Sequence, residues 1–501
     1  MAHATSLKRF SAVSVAAALL GLGALRAQGQ EQGADLTRAN QDELASFYGR
    51  MNVVVGSGAR AFGMGGAFLA RADDATAASW NPAGLSYLRR AEFSLVGAQN
   101  DFSQLIPRVN QAITPGHPAT TLENTRDQLK ATVADFAGFA YPLRLRGRTG
   151  AIQVSYQRSF SFTGSRHSEA AVGGTPGFLP NGEEIPATEF TVEGKGGFDT
   201  ISLSSGFELR SDLRLGVSVN RWVNGFSQTV DRPFLVPQEL VGQSRTKIDS
   251  DWRISGTNFN LGLIYSPMPK LNLGAVFKTP FDAAIILTKT RSDGFDVVPD
   301  QQERPDGPVE RDNVSIRLPA VFGAGASYRP SNTVTVSADF TRTAWSKATI
   351  TNFFALPHND LKPPIDEFPM PQPFPAIEEG ANGQSDTDQF RVGAEWVLRF
   401  GESGNVLLPL RAGFFRDGQP VSKRLKTSSE ATEVKVYTPT FSGLTAGIGI
   451  TVGGLLLDVA YIREVGSVPT SRYGNGVHDD TTKVHYDRVF ASLMFRFGPR
   501  R

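Results

Sequence analysis

From about residue 92 to the C-terminus, apolar side chains recur at every second position rather than every third or fourth. In LRLGVSVN (213–220), Leu213, Leu215, Val217 and Val219 fall on one face, with Arg214, Gly216, Ser218 and Asn220 on the other. TVTVSADF (333–340), AIQVSYQ (151–157) and QFRVGAEWVLRF (389–400) repeat the pattern. Successive side chains of a strand point to opposite faces, so each stretch predicts a strand with an apolar and a polar side. About fourteen such segments are centred near residues 96, 136, 155, 203, 219, 259, 275, 322, 338, 394, 411, 446, 459 and 491. Short connections at 144–150, 210–212, 267–270, 329–332, 401–405 and 453–454 alternate with long polar ones. The long ones lie near 102–130, 163–195, 229–250, 290–313, 352–386, 418–436 and 466–483. Even strand number, short turns at one rim and long loops at the other predict a transmembrane antiparallel β-barrel, with both ends at the short-turn rim. The last strand, with Val489, Ala491, Leu493, Phe495 and Phe497 on one face, is expected to close against the first.

The N-terminus reads differently. Lys8-Arg9 precedes an apolar stretch at 10–25, and small residues follow to Ala27, which is the pattern of a secretory signal over residues 1–27. The chain contains no cysteine and no apolar run long enough for a membrane helix, so a membrane reading requires a barrel. Formal net charge is +2, and the signal carries three of the basic residues, so no basic surplus points to nucleic acid. The six histidines show no ligand spacing and no local hydrolase motif is present. No catalytic residue, metal or cofactor is assigned, and the chain is read as a non-enzyme.

Between signal and first strand, VVVGSGARAFGMGGAFLARADD (53–74) approaches a dinucleotide-binding turn, with Gly56, Gly58 and Ala61 followed by Asp73-Asp74. Gly63, Gly65 and Gly66 interrupt the helix that turn needs, and Pro82 and Gly84 spoil the parallel strand that should follow. Packing is the better account of these glycines. The stretch GARAFGMGGAFLARADDATAASWNPAGL (58–85) resembles the N-terminal signature of the FadL-type long-chain fatty acid transport family of outer-membrane proteins. Gly58 to Ala67, Ala72 to Ala77 and Asn81 to Leu85 carry the resemblance.

That resemblance implies an all-β protein: a barrel of fourteen strands (92–501) with an N-terminal hatch (28–91) folded into its lumen. Its hatch residues are Gly58, Gly63, Gly65, Gly66, Asp73, Asp74, Asn81, Pro82, Ala83 and Gly84. It implies passive uptake of long-chain fatty acids or aromatic hydrocarbons across the bacterial outer membrane, leaving sideways through a gap at a kinked strand. Gly164 lies near the end of the third strand, and no residue there marks a kink in the sequence. Candidate path residues are Phe62, Phe68 and Trp80 in the hatch and Phe102, Leu105 and Ile106 after the first strand. Arg158 and Arg166 are candidate partners for a substrate carboxylate. Expected partners are outer-membrane lipid, a hydrophobic solute and, during biogenesis, the barrel assembly machinery. The alternative is a FadL-like barrel serving a type IX protein secretion apparatus, where the same signature occurs.

Overall fold

The alternating pattern folds inside-out relative to a soluble protein. In the computed structural model Leu215, Val217 and Val219 face outward and exposed, while Arg214, Ser218 and Asn220 are buried inside. The same parity puts Phe390 and Trp396 outside and Arg391 and Glu395 inside. The structure describes residues 56–106, 125–170, 188–235, 243–295, 310–351, 386–401, 405–419, 424–428, 431–435, 440–471 and 479–498. The signal and the first part of the expected hatch lie outside the described residues.

Fourteen strands form one closed antiparallel ring. In chain order they are β1 (Ala91–Ile106), β2 (Thr125–Leu145), β3 (Arg148–Ser161), β4 (Thr188–Arg210), β5 (Leu213–Val223), β6 (Gln243–Met268) and β7 (Leu271–Lys278). Then come β8 (Val321–Tyr328), β9 (Val334–Thr343), β10 (Thr387–Phe400), β11 (Val406–Gly418), β12 (Thr440–Val452), β13 (Leu455–Ser471) and β14 (Asp479–Phe497). Each pairs with its neighbours in sequence, and β14 closes on β1 from Ala91↔Phe497 to Gln104↔Val484. Closure pairs every strand on both sides over the part nearer the short turns, and among the described residues the upper parts of β2 and β3 leave an unpaired edge; a closed ring is the condition for crossing a membrane with strands. No helix among the described residues is long and apolar enough to cross one.

Every predicted strand centre falls on one of these strands. The long connections need correction. Further strand at Gly164–Ala170 lies within a stretch read as a loop, that at Gly225–Leu235, Phe281–Phe295 and Glu310–Leu318 overlaps such stretches, and Thr349–Thr351 adjoins one; all prolong the ladder beyond the long-loop rim. Backbone pairing continues there while the apolar alternation fades, because a strand clear of hydrocarbon no longer needs an apolar outer face.

Residues 56–90 lie within the ring. They form two short helices, α1 (Ala59–Gly63) and α2 (Ala77–Trp80), and a 3₁₀ turn over Pro82–Tyr87. Small residues let this chain approach the wall. A Cβ on Gly65 would lie 2.8 Å from the Val392 carbonyl oxygen of β10, and one on Gly216 of β5 would lie 2.1 Å from the Ala83 nitrogen. The seat is therefore cut from both sides, by glycines of the inner segment and of the strands.

Candidate functional site

The interior has two layers. The inner segment fills the half nearer the short turns, and its backbone is held by polar side chains on the inward face of the wall. Asp339 of β9 accepts from the backbone N–H of Phe68 (2.6 Å) and Leu69 (2.8 Å). Thr445 of β12 accepts from Gly65 N–H (2.9 Å) and donates to the Gly63 carbonyl (3.0 Å). Ser492 of β14 accepts from Ala59 N–H (2.7 Å). An irregular chain inside a barrel must have its backbone groups satisfied, and these wall residues do it.

Charge supplies a second set of ties. Arg60 contacts Asp73 at 2.6 Å and Asp74 at 3.1 Å within the segment. Glu395 of β10 gathers three cations: Arg60 at 3.5 Å, Arg71, and Arg411 of β11 at 2.8 Å. Arg411 also reaches Asp458 of β13 at 2.6 Å. Burial works to lower the Arg60 pKa, but Asp73, Glu395 and Asp74 outweigh it and hold it well above the ordinary value. Burial works to raise that of Asp73, but Arg60 and Arg71 hold it below the usual carboxylate range. Both groups stay charged at neutral pH.

The expected hatch residues are therefore brought together. Asn81 caps the 3₁₀ turn by accepting from Ala83 N–H (3.1 Å), and its amide donates to the carbonyls of Leu69 (2.9 Å) and of Leu263 on β6 (3.1 Å). Pro82 occupies the first turn position, and Gly58, Gly65 and Gly66 take positive φ. Asn81→Ala would remove the cap and orphan buried carbonyls, an expected loss of about 2–4 kcal/mol, read as a lower melting temperature of the folded barrel.

Of the expected path residues, Phe62, Phe68 and Trp80 are buried in the core of this lower layer. Phe62 stacks on Phe490 of β14 at 4.1 Å, and Trp80 meets Phe62 and Phe68 edge-on at 5.8 and 6.0 Å. Phe102 packs on Tyr486 at 5.0 Å. Leu105 and Ile106 lie on β1, and their side chains are outside the described residues. Arg158 is paired with Asp199 of β4 and donates to the Tyr156 hydroxyl at 3.2 Å, so a substrate carboxylate would compete with Asp199. Arg166 pairs through its backbone with Val192, and its side chain is outside the described residues.

The upper layer is apolar and was missed in the sequence. Phe160 and Phe162, Phe198, Trp222, Phe226 and Trp252 form one buried cluster, extended by Ile254, Ile285 and Ile316. Phe162 stacks on Phe226 at 4.1 Å and Phe226 on Trp252 at 5.5 Å, while Trp222 joins Phe160 (5.7 Å) to Phe281 (5.2 Å). A polar band runs beneath it: Ser202 donates to Asn220 (2.7 Å), Asn220 to Asn258 (3.2 Å), and the Trp222 indole to Asn258 (2.9 Å). These aromatics sit on the inward parity of their strands, a position where the lower half carries Ser, Asn and Gly.

One feature breaks the regular wall. The pairing of β2 with β3 runs from Leu145↔Arg148 to Phe136↔Gln157 and stops. Beyond that point, among the described residues, β2 pairs only with β1, as far as Ile106↔Thr125. The chain from Arg158 to Ala170 pairs only with β4, among the described residues. Both strands carry an extra residue where they part. Asp135 is skipped between Val96↔Phe136 and Gly97↔Ala134, and Ser159 between Arg158↔Asp199 and Phe160↔Phe198. A bulge bends its strand and ends local pairing. Asp135 accepts from the hydroxyl of Ser57, which ties this corner to the inner segment. Phe160 and Phe162 stand on the β3 side of the parting.

With this geometry in hand, solved structures provide the comparison. A FadL homologue of Pseudomonas aeruginosa superposes with a TM-score of 0.56 at 14% identity, over 89% of this chain and 99% of the other. The Ralstonia pickettii toluene transporter TbuX gives a TM-score of 0.50 at 16% identity, over 89% and 99%. The chain has the FadL-type barrel fold. It is an outer-membrane-type β-barrel that crosses with strands. A family profile described as BamG matches residues 180–360, less than half of the chain. No curated protein matches it.

Proposed function

We propose that this FadL-type barrel is a channel for passive uptake of hydrophobic compounds across the bacterial outer membrane, with residues 56–90 as its hatch. The observation that carries the reading is the upper aromatic cluster ending at the unpaired β2–β3 edges. Below it the hatch fills the lumen, so a solute in the cluster has its apolar surroundings continued sideways, at Phe160 and Phe162, rather than downward. An apolar solute gains about 0.8 kcal/mol for each CH₂ it buries. Aromatic walls suit an arene or an acyl chain and reject hydrated solutes. The solute then leaves between β2 and β3, and no chemical step is needed.

The test is uptake of labelled oleate and of toluene by a host lacking its own fatty acid channel. Uptake of either above the empty-vector control is expected. No uptake of both, with the barrel inserted and heat-modifiable on gels, would overturn the reading.

A further inference from the structure

The short-turn rim carries a charge pattern that transport does not require. Arg144, Arg146 and Arg148 are exposed at the β2–β3 turn, Lys270 after β6, Arg329 after β8 and Arg399 near the end of β10. Among the described residues none of these six has a carboxylate within ion-pair distance. The described carboxylates of this rim are already engaged. Asp212 pairs with Arg210, Glu92 with Arg496 at 2.6 Å, and Glu208 accepts from Thr149 at 2.6 Å. Toward the long-loop rim some exposed cations have acidic neighbours, Arg342 with Asp388 at 3.2 Å, Arg463 with Asp487 at 3.8 Å and Lys130 with Asp101 at 3.5 Å, while Arg221, Arg253, Arg416 and Lys483 have none among the described residues.

The turn itself shows that the cation is costly to place. Arg146 has φ of 52° and Gly147 of 80°, the two left-handed positions of a tight hairpin. Asn or Gly fills the first position at less strain, and Arg stands there instead.

What lies beside these cations identifies the surroundings. Leu145 is 55% exposed between Arg144 and Arg146, Tyr328 47% beside Arg329, and Phe400 50% beside Arg399. Met268, two residues before Lys270, is 52% exposed. Arg144, Arg329 and Arg399 take the inward parity of their strands, at the lumen mouth, whereas at the β2–β3 turn Arg146 and Arg148 stand beside outward-facing Leu145, the arrangement of a hydrocarbon edge meeting a layer of headgroups.

We propose that this basic collar binds the phosphates of anionic phospholipids in the leaflet at the short-turn rim, with the Arg144–Arg146–Arg148 turn as its principal site. The inference rests on the barrel crossing a membrane and not on what it transports. Guanidinium groups grip phosphate oxygens through two donors at once, and a juxtamembrane basic residue favours an anionic surface by an amount equal to about fivefold in affinity.

The full-length protein, purified in a neutral detergent, is incubated with phosphatidylglycerol, phosphatidylcholine or soluble glycerol phosphate, and retained lipid is counted by native mass spectrometry. Preferential retention of phosphatidylglycerol is expected, falling at high salt. The R144Q/R146N/R148Q variant is expected to lose that preference by roughly tenfold or more. Asparagine at 146 suits the turn, and heat-modifiable gel mobility checks that the variant is folded. The R329Q/R399Q variant, on two other turns, is expected to lose a smaller part. Equal retention of both lipids, a preference untouched in the triple variant, or glycerol phosphate bound as well as the lipid would each overturn the proposal.

Discussion

Replacing Glu395 with glutamine is expected to loosen the hatch while leaving the barrel closed. Glu395 is 3% exposed and faces Arg60, Arg71 and Arg411. Arg60 keeps Asp73 and Asp74 when it is gone, and Arg411 keeps Asp458. Arg71 fares worst. It is 9% exposed, its Nε and Nη1 have no hydrogen-bond partner, and Glu395 is its only ion-pair partner among the described residues. Leaving a buried charge without its partner costs about 3–5 kcal/mol, more than most single contacts in the hatch contribute. The barrel itself is held by fourteen ladders of backbone hydrogen bonds and loses none of them. Glu395→Gln should therefore raise ion conductance in planar bilayers and expose Arg60 or Arg71 to trypsin, with heat-modifiable mobility retained. Arg71→Gln added to Glu395→Gln removes the orphaned cation, and it should recover much of the lost protection. Conductance and trypsin resistance equal to the parent in both variants would sink the claim that this pair latches the hatch.

The barrel was legible because its rule is binary. Leu215, Val217 and Val219 needed only to alternate with Arg214, Ser218 and Asn220 for strand, face and turn to follow, and closure followed from an even count. The inner segment stood out for a different reason: Gly58 to Leu85 carries a dense motif, from which its role as a hatch is proposed. The segment's partners did not stand out. Asp339, Thr445 and Glu395 sit on the polar face of their strands like many other residues, and only the closed ring brings them to the hatch from more than 250 positions away. Parity could have marked Trp222 and Trp252 as inward aromatics in a polar lumen, but the long connections hid the strands that carry their neighbours. The parting of β2 and β3 left no trace at all. A bulge is one residue in excess relative to a partner strand, so neither Asp135 nor Ser159 looks unusual until the register is known.

Deleting Ser159 is expected to abolish uptake with the hatch and the aromatic cluster in place. Gln157 faces the interior below the bulge, and Phe160 and Phe162 face it above. Arg158 and Ser159 separate Gln157 from Phe160; removing Ser159 leaves Arg158 alone between two inward positions, so the alternation runs unbroken and no aromatic changes sides. What changes is the bend. Without the extra residue β3 should continue straight alongside β4 and bring its other edge back toward β2, where the unpaired backbone of both strands gains partners. The deletion should thus stabilise the wall while shutting the sideways exit, a combination that simple damage to the protein would not produce. Oleate or toluene uptake at the empty-vector level, at an unchanged or higher melting temperature, is the expected result. Uptake at the parent rate in a folded deletion variant would mean that the solute leaves by another route, and the β2–β3 parting would then be only an irregularity of the wall.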